Sequence, residues 1–515
     1  MAHDVILFNA PLSYINNPLA QFGSLHLTKD VPYKTFNPGL LSIGTYLDWK
    51  KYNVKIYDII YEKDIENVVR KALYNETPYL VGISCSYGLS YIPTIKIANI
   101  VKQIIPHTFI VAGGQHIGML GGIALKECSS LDAVERFEGE IPLLKILEYL
   151  KGRLSITKIP GLVFRIKELN KDTPYDKTKI KPFVYMDIQK DYKMVEVTYE
   201  DILENIEKPA VVDLNELPHM KFDLYDDYLT YSPFIEESRG CCWKCEYCSS
   251  GFTNSSKIRI KDSKKFLDDL RHCINIYGKD LQLPFLASTF GVNVKNTTEI
   301  LQGIVDEYKE LNWVSEFRVD INWESYLDLM YKSGCRAYAI GMESASPQVL
   351  QNMCKTPNPK FYLEKTEKLI KHIKTFPNHI LHVNFMFYAG ETPETLKENI
   401  KFICKYIDDI HSVHYSPLLV YPNAALWKKI CFYYEKYGTT LVKGDIWDKM
   451  HLYPINPSKY FKYEDAGYFS RIIEKITVSS AEFISMHETR FGRSKDGYIS
   501  EKAKKKFLDD ILNSY

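Results

Sequence analysis

The sequence predicts an α/β protein: an N-terminal doubly wound parallel sheet of the Rossmann or flavodoxin-like kind, then a partial (β/α)6 barrel, then a mainly helical C-terminal region. Three observations carry that prediction. Apolar strand-length runs alternate with helix-length segments through the first 150 residues. The alternation resumes after residue 231 for six more repeats. Where it resumes, four of the eleven cysteines fall within eight residues, Gly240-Cys-Cys-Trp-Lys-Cys-Glu-Tyr-Cys248.

The first series assigns strands to residues 5–8, 54–60, 79–84, 108–112 and 132–136. Helices are assigned to 38–51, 65–73, 92–105, 119–127 and 142–150. Segment 38–51 is amphipathic, with Leu40, Leu41, Ile43, Leu47 and Trp49 set among polar residues. Five strands alternating with five helices imply a parallel sheet covered on both faces, with ligands at the carboxyl ends of the strands. The loops to watch are therefore 9–37, 85–91, 113–118 and 137–141. Residues 151–230 read as a linker, in which the lysine-rich, turn-rich stretch 165–191 is an exposed hairpin insertion.

The second series, residues 231–420, assigns strands to 234–237, 283–287, 316–320, 336–341, 379–388 and 414–420, with helices between them. The cysteine loop then sits at the carboxyl end of the first barrel strand, the face on which barrel enzymes carry chemistry. In the final segment, 421–515, helices are expected at 463–483 and 501–512. Trp427, Trp447, Tyr453 and Phe461 there either line a pocket or pack as core. The run from Arg490 reads as a solvated loop, and Asp409-Ile-His-Ser-Val-His414 as a helix end and strand start.

Cys241, Cys245 and Cys248 form C-x3-C-x2-C. Three thiolates on one short loop can hold three corners of a cubane iron–sulfur cluster, leaving one iron open for chemistry. Two other readings stand beside this one. Cys242, Cys245 and Cys248 form C-x2-C-x2-C, close to a ferredoxin run, and Cys242 with Cys245 makes half a zinc site whose second ligand pair is not evident.

C-x3-C-x-aromatic-C resembles the radical S-adenosylmethionine (SAM) family. Further residues carry the likeness: Gly341-Met-Glu343-Ser344, the turn Gly390-Glu-Thr-Pro393-Glu-Thr395, and Ser-Gly334-Cys335 before the fourth strand. The resemblance implies a 4Fe–4S cluster on Cys241, Cys245 and Cys248, with Cys242 a bystander. SAM would be contacted by Glu343 and flanked by Gly390 and Pro393. Two departures are visible. Pro393 falls one residue late, and Ala287-Ser288 stands where the family often has an acid, so Ser288 is the substitute contact.

The first 165 residues resemble the cobalamin (B12)-binding domain, through Asn9-Ala-Pro, Asn37-Pro-Gly-Leu-Leu, Ser84, Gly113-Gly114-Gln115-His116, Arg136-Phe-Glu-Gly-Glu140 and Gly161-Leu-Val-Phe-Arg165. That likeness implies cobalamin held by Ser84, Cys85, Tyr87, Gly113, Gly114, Gln115, Glu138 and Gly139. The usual Asp-x-His-x-x-Gly is missing; the first loop holds only His26, out of that context. Tyr87 is then the expected neighbour of the lower cobalt face. A flavodoxin-like sheet with another ligand, or none, is the plain alternative.

Together the two resemblances imply a cobalamin-dependent radical SAM C-methyltransferase. An external one-electron reductant of flavodoxin or ferredoxin type would start SAM cleavage to a 5′-deoxyadenosyl radical. The methyl group would pass through cobalamin to an unactivated carbon of a small molecule or peptide intermediate. Rearrangement or cyclisation without net methylation, and a B12 or cluster sensor without turnover, stay open.

Composition narrows the setting. Sixty-five basic against 64 acidic residues leave a net charge of +1, which gives no electrostatic case for a nucleic-acid or membrane partner. No apolar run approaches the roughly 18 residues of a membrane span. The N-terminus lacks a signal-peptide pattern, and unpaired cysteine spacing points to a reducing, cytoplasmic setting.

Overall fold

The computed structural model describes residues 2–12, 34–169, 174–249, 257–309 and 311–477. His26, the helix expected at 501–512 and the run from Arg490 lie outside them.

The N-terminal strand Val5–Asn9 is buried along its whole length, because it is an interior strand of a sheet whose two faces are covered by helices. Parallel neighbours flank it: Val5 registers with Val54 on one side and Leu80 on the other. Phe109–Gly113 and Ala133–Glu135 continue the parallel series. The helix Pro38–Trp49 starts where its composition directs. Asn37 accepts the Leu40 N–H as N-cap, and Pro38 occupies the first turn. In place of the single helix expected at 119–127 there are two, Gln115–Leu120 and Gly122–Glu127, broken at Gly121 with φ of +55°.

The lysine-rich hairpin is not a free insertion. Leu162–Arg165, Ile180–Ile188 and Met194–Asn205 extend the sheet antiparallel, for eight strands in all. Its lysines are compatible with this because Ile180, Phe183, Tyr185 and Ile188 supply a buried side. Phe183 lies over Gly121 and Gly122, where an added Cβ would come within 2.7 and 2.4 Å of its ring.

The second sheet has six parallel strands in chain order: Ile235–Glu236, Gln282–Leu286, Asn312–Phe317, Cys335–Glu343, Ile380–Phe387 and Ser412–Pro417. That consecutive order is the partial barrel expected. Along Ile380–Phe387 half-buried His382, Asn384 and Met386 alternate with buried Leu381, Val383, Phe385 and Phe387. Phe385 meets Phe402 of the helix Pro393–Lys405, so the buried set faces the helical layer.

The C-terminal region adds a small antiparallel sheet to its helices, with Tyr453–Asn456 between Leu419–Val420 and Thr440–Leu441. Helix Tyr463–Thr477 sets Phe469 against Phe387 and Tyr415. Trp427, Trp447, Tyr453 and Phe461 are all buried, the core alternative for that aromatic group. The region also binds the N-terminal sheet domain. Asn423 donates to the Met119 carbonyl at 2.7 Å, Trp427 to that of Met186 at 2.8 Å, and His116 Nε2 to that of Met450 at 2.8 Å. No helix among the described residues is long and apolar enough to cross a membrane.

Candidate active site

The cysteine loop follows the first barrel strand. Cys241, Cys245 and Cys248 are partly buried, whereas Cys242 is exposed. Burial, and then the neighbouring thiols of Cys248, Cys245 and Cys242, push the Cys241 thiol above its usual range, so these sulfurs sit within electrostatic reach of one another. Three partly buried thiols on one short loop are a donor set that suits an iron–sulfur cluster, since a cubane binds each thiolate through a different iron.

Two cations that spacing alone did not reveal flank the loop. Arg318 points Nη1 at Cys245 Sγ from 3.4 Å, forks onto Asp320 at 2.8 Å through two nitrogens, and lies over the Trp243 ring. Lys355, buried, donates to the Tyr247 hydroxyl and to Glu343 Oε1, each at 3.2 Å. Positive charge here would offset the negative charge that thiolate ligands bring. Glu343 ends its strand at a register shift, with φ of +69°, backbone strain of the kind concentrated at functional sites. Lys355 thus ties Glu343 to the aromatic residue of the cysteine motif.

The loop is also held from the far end of the chain. Glu246, buried, accepts from Lys429 Nζ, from the Cys354 thiol at 3.0 Å, and from the Tyr388 and Tyr433 hydroxyls at 3.4 Å. Its N–H donates to the Met353 carbonyl, and its carbonyl accepts from Leu426. Of the remaining candidates on this side, Ser288 is exposed just past the second strand. Gly390 (φ +87°) donates its N–H to Pro457 and abuts Tyr437. Pro393 begins the next helix behind a Thr392–Thr395 capping box. The Gly390–Pro393 turn therefore rests on the C-terminal region, and Tyr388, just before it, reaches the cysteine loop.

At the carboxyl ends of the first sheet lies a cleft of about 370 Å³. Ser84, Tyr87, Gly113, Gly114, Gln115, Glu138 and Gly139 all line it. Cys85 does not: its thiol is fully buried, donates towards the Tyr87 carbonyl, and is pushed by burial up to about 12. Tyr87 is 47% exposed within the cleft. Asn37 organises the rim, donating to Asn9 Oδ1 at 2.9 Å and to Ser84 Oγ at 3.0 Å. Gly114 has φ of +108°, and a Cβ there would lie 2.9 Å from the carbonyl atoms of Cys85. Gly114→Ala is expected to lower stability by about 1–3 kcal/mol and to deform this rim. Thermal unfolding and cobalamin titration check it.

The two sites share walls. Glu236 and Arg239, from the barrel side, line the same cleft, and Ser249 donates to Gln115 across the boundary at 3.4 Å. Arg239 joins Glu236 and Glu140 at 2.6 Å and Ser42 at 2.8 Å, while Arg259 pairs with Glu138. A concave slot at parallel strand ends thus opens directly beside a tri-thiol loop on a second α/β unit.

Comparison with known proteins agrees with that juxtaposition. Residues 26–147 match the B12 binding domain family, and residues 235–403 match the Radical SAM superfamily. The chain is a B12-binding radical SAM protein. This radical SAM protein is 26% identical to an uncharacterized methyltransferase of Pyrococcus horikoshii over 74% of its own length and 75% of the relative's. It is 24% identical to the cytidylyl-2-hydroxyethylphosphonate methyltransferase of Streptomyces wedmorensis, over 71% and 70% of the two chains. Its fold resembles that of the radical SAM methyltransferase TsrM from Kitasatospora setae, solved with cobalamin and a 4Fe–4S cluster. The TM-score is 0.63 at 16% identity, covering 86% of this chain and 81% of that one. The cofactors of this radical SAM protein are accordingly cobalamin, SAM and a 4Fe–4S cluster. The cleft suits the first: it is concave, and Gly82, Gly113 and Gly114 present bare backbone along its lining.

Proposed function

We propose that the protein is a cobalamin-dependent radical SAM C-methyltransferase acting on an unactivated carbon of a small-molecule or peptide intermediate. The observation that carries this reading is the shared wall: Glu236 and Arg239 belong both to the approach to the cysteine loop and to the lining of the first-sheet cleft. When bound, the cluster would supply the electron that cleaves SAM, and cobalamin would carry the methyl group.

The chain's own residues position and shield these groups. Cys241, Cys245 and Cys248 ligate, while Arg318 and Lys355 offset their negative charge. Glu343, held by Lys355, is the residue offered to the polar groups of SAM. Ser84, Gly113, Gly114 and Gln115 shape the slot, and the buried Arg239 network keeps water out of the junction.

The test is anaerobic turnover of reconstituted protein with SAM, hydroxocobalamin and a strong one-electron reductant. Formation of 5′-deoxyadenosine together with S-adenosylhomocysteine, at least tenfold above the Cys245→Ala variant, is expected. 5′-Deoxyadenosine without S-adenosylhomocysteine would point to rearrangement or cyclisation, and absence of both to a sensor.

A further inference from the structure

The strand ends that floor the cleft carry a row of side chains on one face. Asn9 registers with Ser84, and Ser84 with Gly113. Val111 registers with Ala133 and Ala112 with Val134, which brings Glu135 beside Gly113. A Cβ built on Gly113 would lie 3.8 Å from that of Glu135. Two residues earlier on the same face, Leu7, Gly82 and Val111 line the apolar depth of the slot.

Asn9 and Ser84 are hydrogen-bonded to Asn37. Glu135 is satisfied on one oxygen only. Its Oε1 accepts the Phe137 N–H at 3.1 Å, while Oε2 is buried with no hydrogen-bond partner among the described residues. Glu135 is 2% exposed and lines the cleft.

The charges around it are already committed. Arg136, next in sequence, turns to Glu204 and to the Gly118 carbonyl. Glu138 is held by Arg259 and Arg239, and Glu140 by Arg239. Asn9 also binds Asp58, on the far side of the row. From the antiparallel neighbour, Gly161 and Leu162 bring no charge. Burial accordingly pushes the Glu135 carboxyl up to about 8. Near neutral pH it keeps its proton, and the slot then contains a hydroxyl donor that lacks an acceptor.

We propose that the Glu135 carboxyl group is the hydrogen-bond donor that reads the nucleotide tail of cobalamin, meeting the lone pair of its benzimidazole nitrogen in the slot. This deepens the cobalamin reading and rests on it. A ring nitrogen not bonded to cobalt is costly to bury without a donor. A corrinoid without the nucleotide presents no such acceptor, so Glu135 makes the cleft selective between the two.

The test is titration of cobalamin and of cobinamide, which lacks the nucleotide, into wild-type, Glu135→Ala and Glu135→Gln protein, followed by visible absorbance. Glu135→Ala is expected to weaken cobalamin about tenfold and to leave cobinamide unchanged. Glu135→Gln, whose amide still donates, stays within about twofold of wild type for both. Because the donor form is lost as pH rises through the raised value, wild-type affinity for cobalamin falls on the alkaline side of about pH 8, and that of Glu135→Gln does not. Equal loss of both corrinoids in Glu135→Ala, no loss of either, or a Glu135→Gln as weak as Glu135→Ala overturns the proposal. A wild-type protein that binds neither corrinoid fails the cobalamin reading itself, and the proposal with it.

Discussion

Cys241→Ala is expected to abolish cluster retention, and Cys242→Ala to leave it intact. The two thiols are adjacent in sequence and differ in setting: Cys241 is partly buried among the other motif thiols, whereas Cys242 is exposed. Anaerobic reconstitution followed by iron and sulfide analysis gives the readout. Wild type and Cys242→Ala should hold about four irons per chain, and Cys241→Ala background levels. The reverse result would assign the ligands to the C-x2-C-x2-C run instead.

The second large effect lies at the junction. Arg239→Ala leaves Glu140 and Glu236 buried or nearly so, without the cation that joins them. Removing one partner of such a network costs about 3–5 kcal/mol, mostly the penalty of the charge left behind. Urea unfolding should show the midpoint falling with little change in slope. Adding Glu140→Gln should recover part of the loss, since the pair is coupled.

The acid limb is informative too. Burial pushes the Glu140 carboxyl up, but Arg239 and Ser42 pull it below the ordinary glutamate value. Its contribution is therefore full above about pH 4.3 and is lost as pH falls through the lower folded value. That acid-side loss of stability should shrink in Arg239→Ala.

Much of this architecture could be read from residues alone. Strands such as Val-Ile-Leu-Phe at 5–8 announce a parallel sheet because both faces are covered, and C-x3-C-x2-C keeps its chemistry within eight positions. What escaped were contacts between residues far apart in the chain. Arg318 and Lys355 look like surface cations until the fold sets them against Cys245 and Tyr247. Glu246 looks like a spacer between ligands until Lys429 and Tyr433 arrive. The hairpin's pairing with the sheet escaped because its lysines dominate its composition, although Ile180, Phe183, Tyr185 and Ile188 give it a buried side. Cys85 was placed in the slot by adjacency to Ser84, but its thiol is fully buried and turns towards the Tyr87 carbonyl.

The grip of Leu426, Lys429 and Tyr433 on Glu246 has a temporal meaning. These residues leave the ribosome long after the three cysteines do. A nascent chain exposes its thiols well before the parts that set their spacing exist. A chain stopped short of Leu426 would carry all three cysteines yet lack the clasp on Glu246.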